Sequence, residues 1–110
     1  MNGWYDMNKS KADDFYFVLK AGNGEVVLTS EMYKSKDSAD GGIASVQKNS
    51  GDEACYDRGM STSGKFHFNL KASNHQVIGT SQLYATADSR DAGIASVKDN
   101  GQSTTVKYNT

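Results

Sequence analysis

Phe15-Tyr16-Phe17-Val18-Leu19-Lys20-Ala21 returns 66 minus 15, or 51, residues later as Phe66-His67-Phe68-Asn69-Leu70-Lys71-Ala72, and the register between the copies holds without a gap. Tyr33 falls on Tyr84, Asp37-Ser38 on Asp88-Ser89, and Gly42-Ile43-Ala44-Ser45-Val46 on Gly93-Ile94-Ala95-Ser96-Val97. A fixed offset sustained over so many positions marks an internal duplication. Within the quoted stretch Phe15, Phe17, Leu19 and Ala21 alternate with Tyr16, Val18 and Lys20, the two-residue period of a strand with one buried face. Phe15, Phe17 and Leu19 are therefore expected in the core.

Reading outward, Gly22-Asn23-Gly24 tolerates positive φ and predicts a tight turn into a strand from Glu25 to Ser30, with Asn74-His75 as the turn of the second copy. Ser35 and Thr86 are placed to cap helices whose first turns carry Asp37 and Asp88, where a carboxylate meets the positive end of the helix dipole. Ala39, Ile43 and Val46, and Arg90, Ile94 and Val97, recur at i, i+4 and i+7, a narrow stripe that faces a sheet. Asn49 to Gly51 and Asn100-Gly101 supply the helix stops. Gly42 and Gly93 interrupt these helices at a cost of roughly 1 kcal/mol relative to alanine, so a close approach is expected at each. The offset also carries Trp4-Tyr5-Asp6 onto Cys55-Tyr56-Asp57 and onto Val106-Lys107-Tyr108, which predicts a leading strand before each hairpin and a closing strand at the end.

A chain of 110 residues with 36% hydrophobic and 23% charged residues suits one globular domain. It is too short for two cores, so residues 1–110 are expected to form a single domain. Its repeats run over approximately 3–51 and 54–102, and the closing strand over approximately 103–108. Twelve basic and 13 acidic residues, a net charge of -1, give no field to draw in a polyanion, which argues against dedicated DNA binding. The first twenty residues hold Trp4, Asp6, Asp13 and Asp14 without a continuous apolar run, and the expectation is a cytoplasmic protein with no membrane association. Cys55, the sole cysteine, reads as a small apolar strand residue.

Little in the chain points to catalysis. His67 and His75 fall on a strand centre and a turn, far in sequence from Cys55 and without metal-ligand spacing. Asp13-Asp14 and Asp52-Glu53 read as solvated loop carboxylates. The Gly22-Asn23-Gly24 turn precedes a strand, so it lacks the helix N-terminus of a phosphate loop. Ser45 and Ser96 lie within helices, and no glycine-flanked nucleophile elbow is present. No catalytic, cofactor-binding or metal residue and no cofactor is expected.

Two helices cover one side of an antiparallel sheet and leave the other open. If Trp4, Cys55 and Val106 point to the core with Phe17 and Phe68, then Tyr5, Tyr56 and Lys107 join Val18 and the outward residues of the central strands on the open side. The candidate binding surface is then Tyr5, Tyr16, Lys20, Tyr56, His67, Asn69 and Lys71, aromatics mixed with lysines and an amide. The leading reading is a non-enzymatic binding or interaction module, its partner a protein or a small ligand. One alternative is a small enzyme at the repeat interface, built from Tyr33, Tyr84, Ser30 and Ser81. Another is a single-stranded nucleic-acid binder, weak because of the near-neutral charge. A monomer is expected.

Three patterns occur in both halves: Leu-Lys-Ala-x-Asn (Leu19 to Asn23, Leu70 to Asn74), Thr-Ser-x-x-Tyr (Thr29 to Tyr33, Thr80 to Tyr84) and Gly-Ile-Ala-Ser-Val-x-x-Asn (Gly42 to Asn49, Gly93 to Asn100). Over essentially the whole chain they closely resemble the YegP-like family of bacterial proteins, for which no functional residue carries over. The resemblance implies an α+β fold: β(3)-α-β units in one largely antiparallel sheet, with C-terminal strands exchanged between the units.

Overall fold

The computed structural model describes residues 3–110. Its elements are β1 (Trp4–Lys9), β2 (Phe15–Lys20), β3 (Val26–Ser30), α1 (Lys36–Asn49), a 3-10 turn (Glu53–Cys55), β4 (Tyr56–Met60), β5 (Phe66–Lys71), β6 (Val77–Thr80), α2 (Ala87–Asn100) and β7 (Val106–Tyr108). They form the α+β architecture expected: one seven-stranded sheet in the order β4-β5-β6-β3-β2-β1-β7, with both helices on one face. The halves join where β3 pairs antiparallel with β6, Thr29 opposite Thr80. Every neighbouring pair is antiparallel except β1 with β7, which run parallel.

Local chemistry explains the elements. Ser35 and Thr86 accept hydrogen bonds from the backbone N–H of Ser38 and Ser89, satisfying donors that a helix start leaves unpaired. The hairpin turns place Gly24 at φ 87° and its counterpart, His75, at φ 70°. In both, an asparagine side chain accepts from the N–H two residues on, Asn23 from Glu25 and Asn74 from Gln76. At Gly42 an added Cβ would run into the Tyr33 hydroxyl and lie 2.9 Å from the Phe17 ring; at Gly93 it would run into the Tyr84 hydroxyl. The close approach at these glycines is thus to a tyrosine stacked on a core phenylalanine: Tyr33 on Phe17 at 6.3 Å between ring centroids, Tyr84 on Phe68 at 6.4 Å.

The core draws on both halves, with Phe17, Leu19, Phe68, Leu70, Val46 and Val97 fully buried. Tyr5 and Tyr56 belong to it, and here the expected facing of the leading strands is overturned. Tyr5 is 0% and Tyr56 7% exposed, and neither lies on the open face. Tyr5 stands opposite Leu19 and Met7 opposite Phe17, which turns Trp4 and Asp6 outward. Each tyrosine meets a core phenylalanine edge-on, Tyr5 with Phe17 at 5.8 Å and Tyr56 with Phe68 at 5.7 Å.

The reason lies at the helix ends, whose last carbonyls have no intrahelical donor. The Tyr5 hydroxyl donates to the Gly101 carbonyl at 2.8 Å, beyond the end of α2, and the Tyr56 hydroxyl to the Ser50 carbonyl at 2.6 Å, beyond α1. An indole N–H at position 4 has no such reach, so the phenols take the inside. Cys55 is buried as expected, but in the 3-10 turn rather than in a strand. Val106 packs against the core, and residues 106–108 are paired within the sheet as the closing strand was expected to be.

Candidate binding surface

The face opposite the helices is arranged by the register of six strands. Asp6 stands beside Val18, Val18 beside Thr29, Thr29 beside Thr80, Thr80 beside Asn69 and Asn69 beside Asp57, one row running from β1 to β4. Thr80 donates its hydroxyl to Asn69 at 2.9 Å. Flanking rows add Tyr16 beside Asn8, Lys20 beside Trp4, and His67 beside Gly59. Of the residues expected here, Tyr16, Lys20, His67, Asn69 and Lys71 are on this face, each half-buried, whereas Tyr5 and Tyr56 are in the core.

The duplication repeats one ion pair on the surface, Lys20 with Asp6 at 3.0 Å and Lys71 with Asp57 at 3.3 Å. Both are partly exposed and contribute little to stability. His67 lies flat on Gly59, its ring carbon 2.9 Å from where a Cβ would stand, and its Nδ1 is buried without a hydrogen-bond partner.

Trp4 is the residue that the sequence reading missed. Its indole N–H donates to Asp6 at 3.2 Å, while the ammonium groups of Lys107 and Lys20 lie 4.5 Å and 6.0 Å from the ring centroid. Lys107 arrives from β7, where it pairs with Asp6 across the parallel ladder. Beside this cluster opens a cleft of about 480 Å³ lined by Gly3, Trp4, Gln102, Ser103, Thr104, Thr105 and Lys107. The available signal was the tyrosine hydroxyl: once Tyr5 is assigned to a helix end, alternation sends Trp4 outward.

Of the side chains named for an enzymatic site, the two serines are bound into the backbone. Ser30 accepts from the Phe17 N–H at 2.9 Å and donates to the Glu31 carbonyl at 2.8 Å, and Ser81 repeats this with Phe68 and Gln82. Both serines are buried. Burial holds the Tyr5 and Tyr56 phenols well above the ordinary range, so both stay protonated well into the alkaline range. Tyr33 is also raised, by burial and then by the nearby Glu31. A second cleft of about 380 Å³ lies against α2, where Tyr84, Ser89 and Ser96 meet Glu25 and Gln82. Among the described residues no group of three or more His, Cys, Asp or Glu side chains is placed to hold a metal ion, and no helix is long and apolar enough to cross a membrane.

Comparison with known proteins matches residues 10–57 and 61–107 to two copies of a domain of unknown function, DUF1508. The UPF0339 protein YegP of Escherichia coli (strain K12) is 62% identical over 110 residues, the whole of both chains. A UPF0339 protein of Shewanella oneidensis is 57% identical over 107 residues, 97% of each chain. Two solution NMR structures share the fold. That of E. coli yegP, a protein of unknown function, has a TM-score of 0.95 at 62% identity, covering 100% of this chain and 95% of that one. That of UPF0339 protein SO3888 from Shewanella oneidensis has a TM-score of 0.93 at 56% identity, covering 98% and 92%.

Proposed function

We propose that this chain, which belongs to the DUF1508 family, is a non-enzymatic binding module that works through the uncovered face of its sheet. The observation that carries this reading is the position of its only tryptophan. Trp4 is turned away from a core that Tyr5 fills, and is set between Lys20 and Lys107 beside a cleft. A half-buried indole beside cations offers a large rigid contact area at low rotamer cost, the character of a recognition hot spot. Tyr16, His67, Asn69 and Lys71 extend the surface across the second half. The setting we infer is cytoplasmic and monomeric, in keeping with a lone buried cysteine.

The reading is tested by capturing partners from bacterial cytoplasmic extract, then mapping amide shifts with whatever is captured. Shifts should cluster at residues 4–8, 16–20, 67–71 and 107. A map confined to the α2 cleft around Tyr84 and Ser96 would move the site to the opposite side and overturn the proposal. Capture of single-stranded nucleic acid with a steep log-log salt dependence would instead assign the face to base stacking.

A further inference from the structure

We propose that the Trp4 cleft binds the oxyanion group of a small ligand, a phosphate or a carboxylate, with Lys107 as its countercharge; this deepens the binding reading above and rests on it. Among the described residues the lining holds one charged residue, Lys107, together with Gly3, Trp4, Gln102, Ser103, Thr104 and Thr105, and no carboxylate. Lys20 and Asp6 neutralise each other at 3.0 Å. Lys107 has no carboxylate within ion-pair distance among the described residues and rests over the Trp4 ring at 4.5 Å. A lysine held by an aromatic face and flanked by hydroxyl donors is suited to a charge-assisted hydrogen bond with an oxyanion.

The volume fits the class. About 480 Å³ is within the range of small-molecule sites, with room for a phosphate ester or a small polycarboxylate. The protein's net charge of -1 disfavours long polyanions, which gather affinity from many contacts. Gly3, at the cleft, is packed tightly against the body of the protein: a Cβ there would stand 2.5 Å from the Asn100 amide oxygen and would run into the Lys20 carbonyl. The cleft also depends on β7. The counterpart of Trp4 in the second half is Cys55, and no strand lies outside β4 among the described residues to bring a second Lys107. One site per chain follows.

Because Trp4 is the only tryptophan, its fluorescence reports events at the cleft beside it. The protein is titrated with inorganic phosphate and, separately, with acetate, at constant ionic strength against sodium chloride. A saturable change with either anion that is absent with chloride is expected, and the more effective probe names the oxyanion. Lys107→Gln should weaken it about tenfold or more, while Lys65→Gln, exposed in the turn between β4 and β5, should leave it unchanged. Amide spectra of both variants confirm that the fold is kept. Responses indistinguishable from chloride, or an unaltered titration of Lys107→Gln, would overturn the proposal. Should the anions fail while a captured partner still shifts residues across the open face, the anion site falls alone; if they bind but no partner maps there, the broader face does.

Discussion

The two outer edges of the sheet begin from equivalent sequence and are finished differently. At one, β7 lies along β1, its Thr105 carbonyl accepting from the Tyr5 N–H at 2.9 Å and the Asn109 N–H donating to the Met7 carbonyl at 2.8 Å. At the other, β4 has no strand outside it among the described residues, and the Tyr56 N–H, counterpart of that of Tyr5, is taken by the Glu53 carbonyl of the 3-10 turn. Met7 is buried, whereas its counterpart Arg58 is half-exposed and reaches Glu53 at 2.6 Å and Asp91 at 3.2 Å. Asp40 and Asp91 occupy equivalent helix positions; the first accepts from the Tyr108 hydroxyl at 2.9 Å, the second from Arg58. A strand edge left open invites pairing with another chain, and charge is the usual defence. One edge is therefore covered by chain, with a cleft beside it, and the other is guarded by an arginine network.

The largest perturbation tests whether the halves, unlike at their edges, share one core. Phe17→Ala and Phe68→Ala should each cost about 3–5 kcal/mol, close to the whole stability of a small domain. Each should lower a single unfolding transition in calorimetry; two separate transitions would show that the halves melt independently. Next come the helix glycines. Gly42→Leu and Gly93→Leu should destabilise by about 1–3 kcal/mol net, because the new side chain must push aside a tyrosine stacked on a core phenylalanine. Gly42 should suffer more, since Phe17 also crowds it at 2.9 Å against 3.3 Å from Phe68 to Gly93. Neutral or stabilising effects in denaturant melts would remove the close-approach account.

Tyr5→Phe and Tyr56→Phe keep the ring but leave a helix-end carbonyl without its donor, for an expected loss of about 1–2 kcal/mol each. The same phenols give a pH dependence of known sign. Their folded pKa values are raised above the unfolded value of 10, so their contribution is complete below that pH and is lost progressively as pH rises beyond it. Stability measured by urea melts should fall on the alkaline side, and the double phenylalanine variant should flatten that slope. The turns offer a smaller effect: His75 sits at φ 70° where the first half has Gly24, so His75→Gly should stabilise by about 1 kcal/mol or less. Gly24→His should do the reverse. Smallest in stability is Arg58→Met, which copies Met7 onto the other edge. The melting midpoint should scarcely move, but sedimentation should reveal more concentration-dependent association than for the native chain.

Much of this was legible in the 51-residue repeat. The two-residue period of Phe15 to Ala21, the capping hydroxyls of Ser35 and Thr86 and the asparagine turns are local devices, each decided within a few residues. The open-face residues of the central strands could be read the same way, and Tyr16, Lys20, His67, Asn69 and Lys71 are on the side expected. The leading strands could not be read so. In Trp4-Tyr5-Asp6 adjacent aromatics make either phase plausible, and alternation alone cannot choose between them.

The sequence by itself determined the duplication, the helices, the hairpins and the family, because these depend on periods and caps within single elements. Only the tertiary structure decided which of Trp4 and Tyr5 went inside. The choice for Tyr5 rests on a carbonyl at Gly101, brought to its hydroxyl by the packing of α2 across the sheet. The same long-range assembly sets Lys107 over Trp4 by laying β7 parallel to β1. A helix end buried without a donor is costly, and the hydroxyl that satisfies it meets that carbonyl only once the chain has folded.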